Sequence, residues 1–103
     1  PASVTSSVLR LPRPVRETWI GACASPLVLF VHPWEFVDLR HTDIRLDCRF
    51  HTGPEAWRRV RATLEFLARR GARFLTMREA AAEQAAAEQA AAERAATANA
   101  RAA

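Results

Sequence analysis

The spacing of apolar residues changes several times along the chain, and each change marks a boundary. Residues 1–26 carry Pro12, Pro14 and Pro26 and one short apolar stretch, Val8 to Leu11. They predict a loop with an edge strand over residues 4–11, since prolines are tolerated at sheet edges. Leu27-Val28-Leu29-Phe30-Val31 is an unbroken β-prone run between Pro26 and Pro33. Continuous apolarity of this kind predicts a strand buried on both faces. Residues 37–51 mix charges and apolar side chains with no period, which predicts a long loop.

A helical period begins after Thr52-Gly53-Pro54-Glu55, a sequence suited to a capping box with proline in the first turn. Trp57, Val60, Leu64 and Leu67 then recur at three- and four-residue spacing and predict one apolar stripe. Glu65 and Arg69 stand at i,i+4 on the polar side. Gly71 is placed to end the helix in the left-handed conformation. Arg73-Phe74-Leu75 predicts a short strand, and Thr76-Met77-Arg78-Glu79 is a second capping box that starts another helix. The order strand, long loop, helix, strand, helix predicts an α/β fold. Its right-handed crossover would join residues 27–31 to residues 73–75.

From Ala80 onward the sequence is Ala with Glu, Gln and Arg, repeating Glu-Gln-Ala-Ala-Ala. A five-residue step advances a helix by about 140° beyond a full turn, so successive glutamates walk around it and no apolar face forms. Residues 80–103 therefore read as a low-complexity helical tail, a solvated spacer, and residues 1–79 as the domain that precedes it.

Composition narrows the picture. The chain has 103 residues and a net charge of +4. With the tail set aside, about 78 residues remain to form a core, near the lower limit for a free-standing fold. All 15 basic residues are Arg, which points to GC-rich coding as much as to a basic surface. They are scattered, apart from Arg58, Arg59, Arg61 and the pair Arg69, Arg70 on one predicted helix. Nucleic acid is therefore not expected as a partner; a weak Arg-face binder would show steep salt dependence. No apolar run approaches the roughly 20 residues of a membrane span. The chain begins at Pro1 without a signal-peptide pattern, as a processed product, a trimmed chain or an incomplete reading frame would. Its localisation is left open between cytoplasmic and extracytoplasmic. Cys23 and Cys48 fit no close-spaced zinc or redox motif and read as buried or free thiols, with a disulfide open to an exported protein.

The segment with chemistry is Leu29-Phe30-Val31-His32-Pro33-Trp34-Glu35-Phe36. A histidine just after a buried strand sits at its carboxyl end, where α/β sheets and barrels bind ligands. Histidine is the residue type suited to proton transfer to a leaving group at neutral pH. The plainer alternative is a rim histidine that only bonds a neighbouring loop. Trp34 and Phe36 can wall a pocket or pack beneath it, and Glu35 can orient His32 or pair with an arginine. Asp38, Asp43 and Asp47 with His41 read as a charged, solvated loop rather than a metal site.

This segment, with Cys48-Arg49-Phe50-His51-Thr52-Gly53-Pro54 and Gly71-Ala72-Arg73-Phe74-Leu75-Thr76-Met77-Arg78-Glu79, resembles the C-terminal part of the polysaccharide deacetylases of carbohydrate esterase family four. The resemblance covers about residues 27–82. It implies the last portion of a distorted (β/α) barrel and a hydrolase acting on the N-acetyl amide bonds of amino-sugar polymers. His32 matches the family's general acid. Phe30 falls where the family usually has a leucine lining the acetyl pocket, so Phe30, Trp34 and Phe36 are the implied substrate contacts. The family uses a divalent metal, commonly zinc, to activate water. Its Asp-Asp and His-x-x-x-His motifs, which supply the base and the metal ligands, do not occur in this chain, so no metal ligand is assigned here. The resemblance thus implies a chain that is inactive alone and is completed by the N-terminal part of the barrel. The alternative is a non-enzymatic small α/β module whose helix serves as a linker or docking arm.

Overall fold

A two-stranded parallel sheet with helices around it forms the mixed α/β structure, in a computed structural model that describes residues 2–103. Strand β1 (Ala2–Val4) is followed by the short helix α1 (Ser6–Leu9) and by α2 (Arg13–Gly21). Strand β2 (Leu27–Leu29) returns beside β1, with Ala2 opposite Leu27 and Val4 opposite Leu29. A 3-10 turn (Pro33–Phe36), α3 (Leu46–Arg49), α4 (Pro54–Arg69) and α5 (Met77–Ala102) complete the chain. Residues 2–72 form one compact unit and Arg73–Ala103 another.

Residues 2–26 are more ordered than their prolines suggest. The edge strand expected over residues 4–11 ends at Val4, and a helix expected nowhere begins at Arg13. Pro14 lies in the first turn of α2, where a missing N–H costs nothing because that donor has no helical partner. Arg13 Nε donates to Glu17 at 2.8 Å, and Arg16 and Ile20 share the inward face.

Strand β2 is shorter than the apolar run and half-buried rather than buried on both faces. Its partner is β1, and Phe30 N extends the ladder by donating to Val4 O at 2.8 Å. Residues 73–75 form no strand; Phe74 and Leu75 are exposed. The expected crossover to them is replaced by one that runs through α1 and α2, because the N-terminal residues already supply a parallel partner. The core of residues 2–72 is Val4, Leu9 and Ile20, with Leu27, Leu29, Val31, Val60 and Leu67 packed against it.

Helix α4 turns inward part of its predicted stripe, rotated toward Ala56 and Thr63. Those two are buried, Val60, Leu64 and Leu67 of the stripe are half-buried, and Trp57 is exposed. Thr63 can occupy the interior because its hydroxyl donates to Arg59 O, one turn back, at 2.8 Å. Thr52 and Glu55 do not form the expected capping box. Gly53 holds the N-cap, Thr52 Oγ1 accepts from Leu39 N at 3.2 Å, and Glu55 binds Arg58 and Arg59. Glu65 pairs with Arg61. The helix ends as expected: Gly71 has φ +80°, Gly71 N donates to Ala68 O at 2.9 Å and Ala72 N to Leu67 O at 3.1 Å, a Schellman closure.

In the second unit the Thr76–Glu79 capping box forms. Glu79 N donates to Thr76 Oγ1 at 3.3 Å, and Thr76 N donates to Glu79 Oε2 at 2.7 Å. The helix it opens runs unbroken into the Ala-rich repeat, so the residues expected to start a separate tail at Ala80 belong to α5. No residue of α5 is buried. Among the described residues no helix is long and apolar enough to cross a membrane.

Candidate functional site

His32 stands three residues beyond the end of β2, past the carboxyl ends of two parallel strands. The backbone at His32 is still extended (φ −103°, ψ 140°), and Pro33 then turns the chain into the 3-10 turn. Extended backbone sends alternate side chains to opposite faces. Val31 accordingly packs on the core, and the Phe30 and His32 rings meet edge to face at 5.0 Å. After the turn Trp34 comes back over the imidazole, stacked at 5.6 Å and 25°. Phe30 and Trp34 are both exposed, so the three rings make an open aromatic patch.

Phe36 is not part of that patch. It lies against Trp57 of α4, ring centroids 4.3 Å apart, and lines a small cavity with Val31, Ala56 and Val60. Of the four residues singled out from sequence, the fold thus brings together Phe30, His32 and Trp34 and sets Phe36 apart, against Trp57.

Glu35 points inward. Its side chain is 6% exposed against 45% for His32. Its Oε2 accepts from His32 N at 2.7 Å and lies 3.7 Å from His32 Nδ1, and Nδ1 is buried without a hydrogen-bond partner. Its carbonyl accepts from Gly53 N at 2.8 Å, which ties the turn to the start of α4. Gly53 has φ +64°, and a Cβ there would meet the Asp38 backbone at 3.1 Å, so no other residue fits without strain.

Two arginines missed in the sequence hold the floor behind the turn. Arg59 Nη1 donates to the carbonyls of Leu9, Arg10 and Leu11, the closest at 2.6 Å. Arg16 Nη1 donates to Leu9 and Leu11, each at 3.2 Å. These carbonyls follow the end of α1, where a helix leaves acceptors unpaired and favours cations. Arg16 is almost fully buried; burial first, and Arg59 beside it second, push its guanidinium below the ordinary arginine value. No spacing signal marks these residues, because their partners are backbone atoms. His51 lines the same cavity in a left-handed conformation, φ +58°. Desolvation first and Arg59 second hold its imidazole below the usual histidine range; Glu55 opposes them, and Arg10 adds least.

The acidic residues of the loop are occupied locally. Arg40 binds Asp38 through Nε at 2.9 Å and Nη2 at 2.6 Å and, by that hydrogen bonding, holds its carboxyl at about 2. Arg45 binds Asp47 in the same two-pronged way. Among the described residues, no group of three or more His, Cys, Asp and Glu side chains stands together as metal ligands. Cys23 and Cys48 are free and half-buried. On the helix that carries the grouped arginines, Arg58, Arg59 and Arg61 are each paired with a glutamate.

What this arrangement can do chemically is limited and specific. An imidazole with one edge held inward and the rest open between two aromatic faces can exchange a proton with a molecule resting on the patch. No family model, no curated protein and no solved structure matches the chain.

Proposed function

We propose that the chain supplies the proton-donating part of a polysaccharide deacetylase, as the C-terminal portion of a distorted (β/α) barrel. The observation that carries this reading is the placement of His32 past the carboxyl ends of a parallel strand pair, between Phe30 and Trp34. Ligands of open α/β sheets and barrels bind at that end. Aromatic faces suit the apolar faces of sugar rings.

In this reading His32 in its charged form donates a proton to the departing amino-sugar nitrogen as the amide bond breaks. Phe30 and Trp34 keep the imidazole in place and exclude water from one side of it. Among the described residues no three or more His, Cys, Asp and Glu side chains stand together as metal ligands. In this reading the metal and the catalytic base belong to the preceding part of the barrel, and no step is routed through them here. The unpaired outer edge of β2 and the exposed Phe30, Val37, Leu46 and Phe50 fit a surface that such a portion would cover.

The coding sequence ahead of Pro1 tests this. It is expected to encode, in frame, an Asp-Asp pair and a His-x-x-x-His motif; their absence would overturn the reading. Tight one-to-one zinc binding by the 103-residue chain alone would also count against it. The second reading, a non-enzymatic module with a helical arm, draws on the solvated 26-residue helix α5. It predicts that a reading frame containing both motifs is not found.

A further inference from the structure

We infer that Glu35 is a positioning residue for His32: it fixes the imidazole with Nδ1–H facing inward, so that Nε2 is the atom that gives up the proton. The inference rests on the reading of His32 as proton donor, but the arrangement it describes can be tested without any activity.

Three observations point to it. Glu35 is a buried carboxylate in a turn whose other residues leave no competing cation in contact with it. Arg10, His51 and Arg59 share its cavity, yet the basic side chain found within 4.0 Å of its oxygens is His32. The oxygen that caps the turn, Oε2, is also the one that faces Nδ1, at 3.7 Å. Nδ1 itself is buried and has no other partner, a costly state for a ring nitrogen. The gap of 3.7 Å closes to a charge-assisted hydrogen bond of about 2.8 Å by a movement of roughly 0.9 Å, within reach of a side-chain rotation.

A cap alone does not explain the arrangement. The cap joins His32 N to Oε2 and also turns the His32 side chain toward Glu35 N, but Nδ1 makes no hydrogen bond there, so the cap does not settle which ring nitrogen carries hydrogen. The rings add a constraint of their own. Phe30 meets the imidazole edge on, and Trp34 covers its face, so its plane is set from two sides. Within that plane the carboxylate selects which nitrogen lies inward. With Nδ1–H directed at Glu35, the protonated ring carries its second hydrogen on Nε2, on the open side. Donation of that hydrogen leaves the neutral Nδ1–H tautomer, which Glu35 already favours. The group that orients the ring thus stabilises both its charged and its spent form.

The test is nitrogen-15 NMR of the His32 ring in the full 103-residue chain, at alkaline pH where imidazoles are neutral. The two ring nitrogens report directly which one carries hydrogen. The chain is expected to show Nδ1–H as the major form, against the ordinary preference of free imidazole for Nε2–H. Glu35→Gln keeps the length and the acceptor for His32 N, so the turn cap survives, and it is expected to move the ring toward Nε2–H. An Nε2–H major form in the wild-type chain overturns the inference whether or not the variant folds. An unchanged tautomer in a folded Glu35→Gln chain also overturns it. Failure of the deacetylase reading, with no N-acetyl hydrolysis by the completed enzyme, would leave the tautomer result standing. Failure of the tautomer result would remove Glu35 but leave His32 available as acid.

Discussion

Residues 2–72 and residues 73–103 are ordered by different kinds of interaction. In the first unit the decisive contacts are distant in sequence. β1 pairs with β2 across more than twenty residues, Arg59 reaches the carbonyls of Leu9 to Leu11, and Gly53 bonds Glu35. Its core is small and depends on Val4, Leu9 and Ile20 meeting. In the second unit the interactions are nearly all local: a capping box at Thr76 and Glu79, Gln-to-Glu bonds one turn apart, and an Arg73–Glu83 pair. Alanine makes that possible, since a helix of Ala, Glu and Gln needs little help from packing. The candidate site lies in the unit built on distant contacts: Phe30, His32, Trp34 and Glu35 come from one short segment, which the pairing with β1 and the bond from Gly53 N to Glu35 O anchor at both ends.

The comparison can be broken from the side of the core. Ile20→Ala removes one of the three central side chains and is expected to cost about 3 kcal/mol. Urea denaturation followed by Trp fluorescence checks this, and a loss under about 1 kcal/mol would mean that the core is not what holds the first unit. Gly53→Ala comes next. It forces a side chain into φ +64° and against the Asp38 backbone, so a loss of about 2 kcal/mol is expected in the same assay. In the second unit Thr76→Ala removes the cap and should cost about 1 kcal/mol of local helix stability. Faster amide exchange over residues 79–82, with the rest of α5 little altered, is the expected signature.

Acid sharpens the contrast with the smallest effect. Desolvation, the main cause, holds the folded His51 imidazole below the ordinary histidine value of 6.5, so the unfolded chain binds the extra proton first. Its contribution is therefore complete above 6.5 and is lost as the pH falls through the lowered folded value. In the second unit the shifted acids are Glu79 and Glu83, lowered from 4.5 by hydrogen bonds to Thr76 and Arg73 respectively. Their contribution is present above 4.5 and is lost only as the pH falls below it. Stepwise acidification followed by NMR should perturb the surroundings of His51 before the cap at Thr76. The reverse order would contradict these assignments.

The same contrast decides what was legible in the sequence. Two local signals are legible, Gly71 ending α4 and Thr76–Glu79 starting α5; the equally local Thr52–Glu55 box does not form, because Thr52 bonds Leu39 N and Glu55 binds Arg58 and Arg59. Pro14 was read as a sign of loop, yet a proline in a first turn is equally a sign of helix, and α2 went unpredicted. The strand partner was misplaced because pairing is settled by distant chain segments. The inward face of α4 was rotated because Thr63, polar by type, satisfies its hydroxyl on its own helix. At the site, strand alternation and the Pro33 turn made the grouping of Phe30, His32 and Trp34 readable. The inward Glu35 was one of two readings, and the arginines on the Leu9–Leu11 carbonyls had no pattern to betray them.

Acetate release from an N-acetylated chito-oligosaccharide tests the role of His32 most directly, measured on the chain expressed together with its preceding coding sequence. His32→Asn is expected to lower kcat by about 100-fold or more, the usual loss on removing a general acid, with KM little changed. Wild-type kcat in His32→Asn, or no acetate released by the wild-type enzyme, would contradict it.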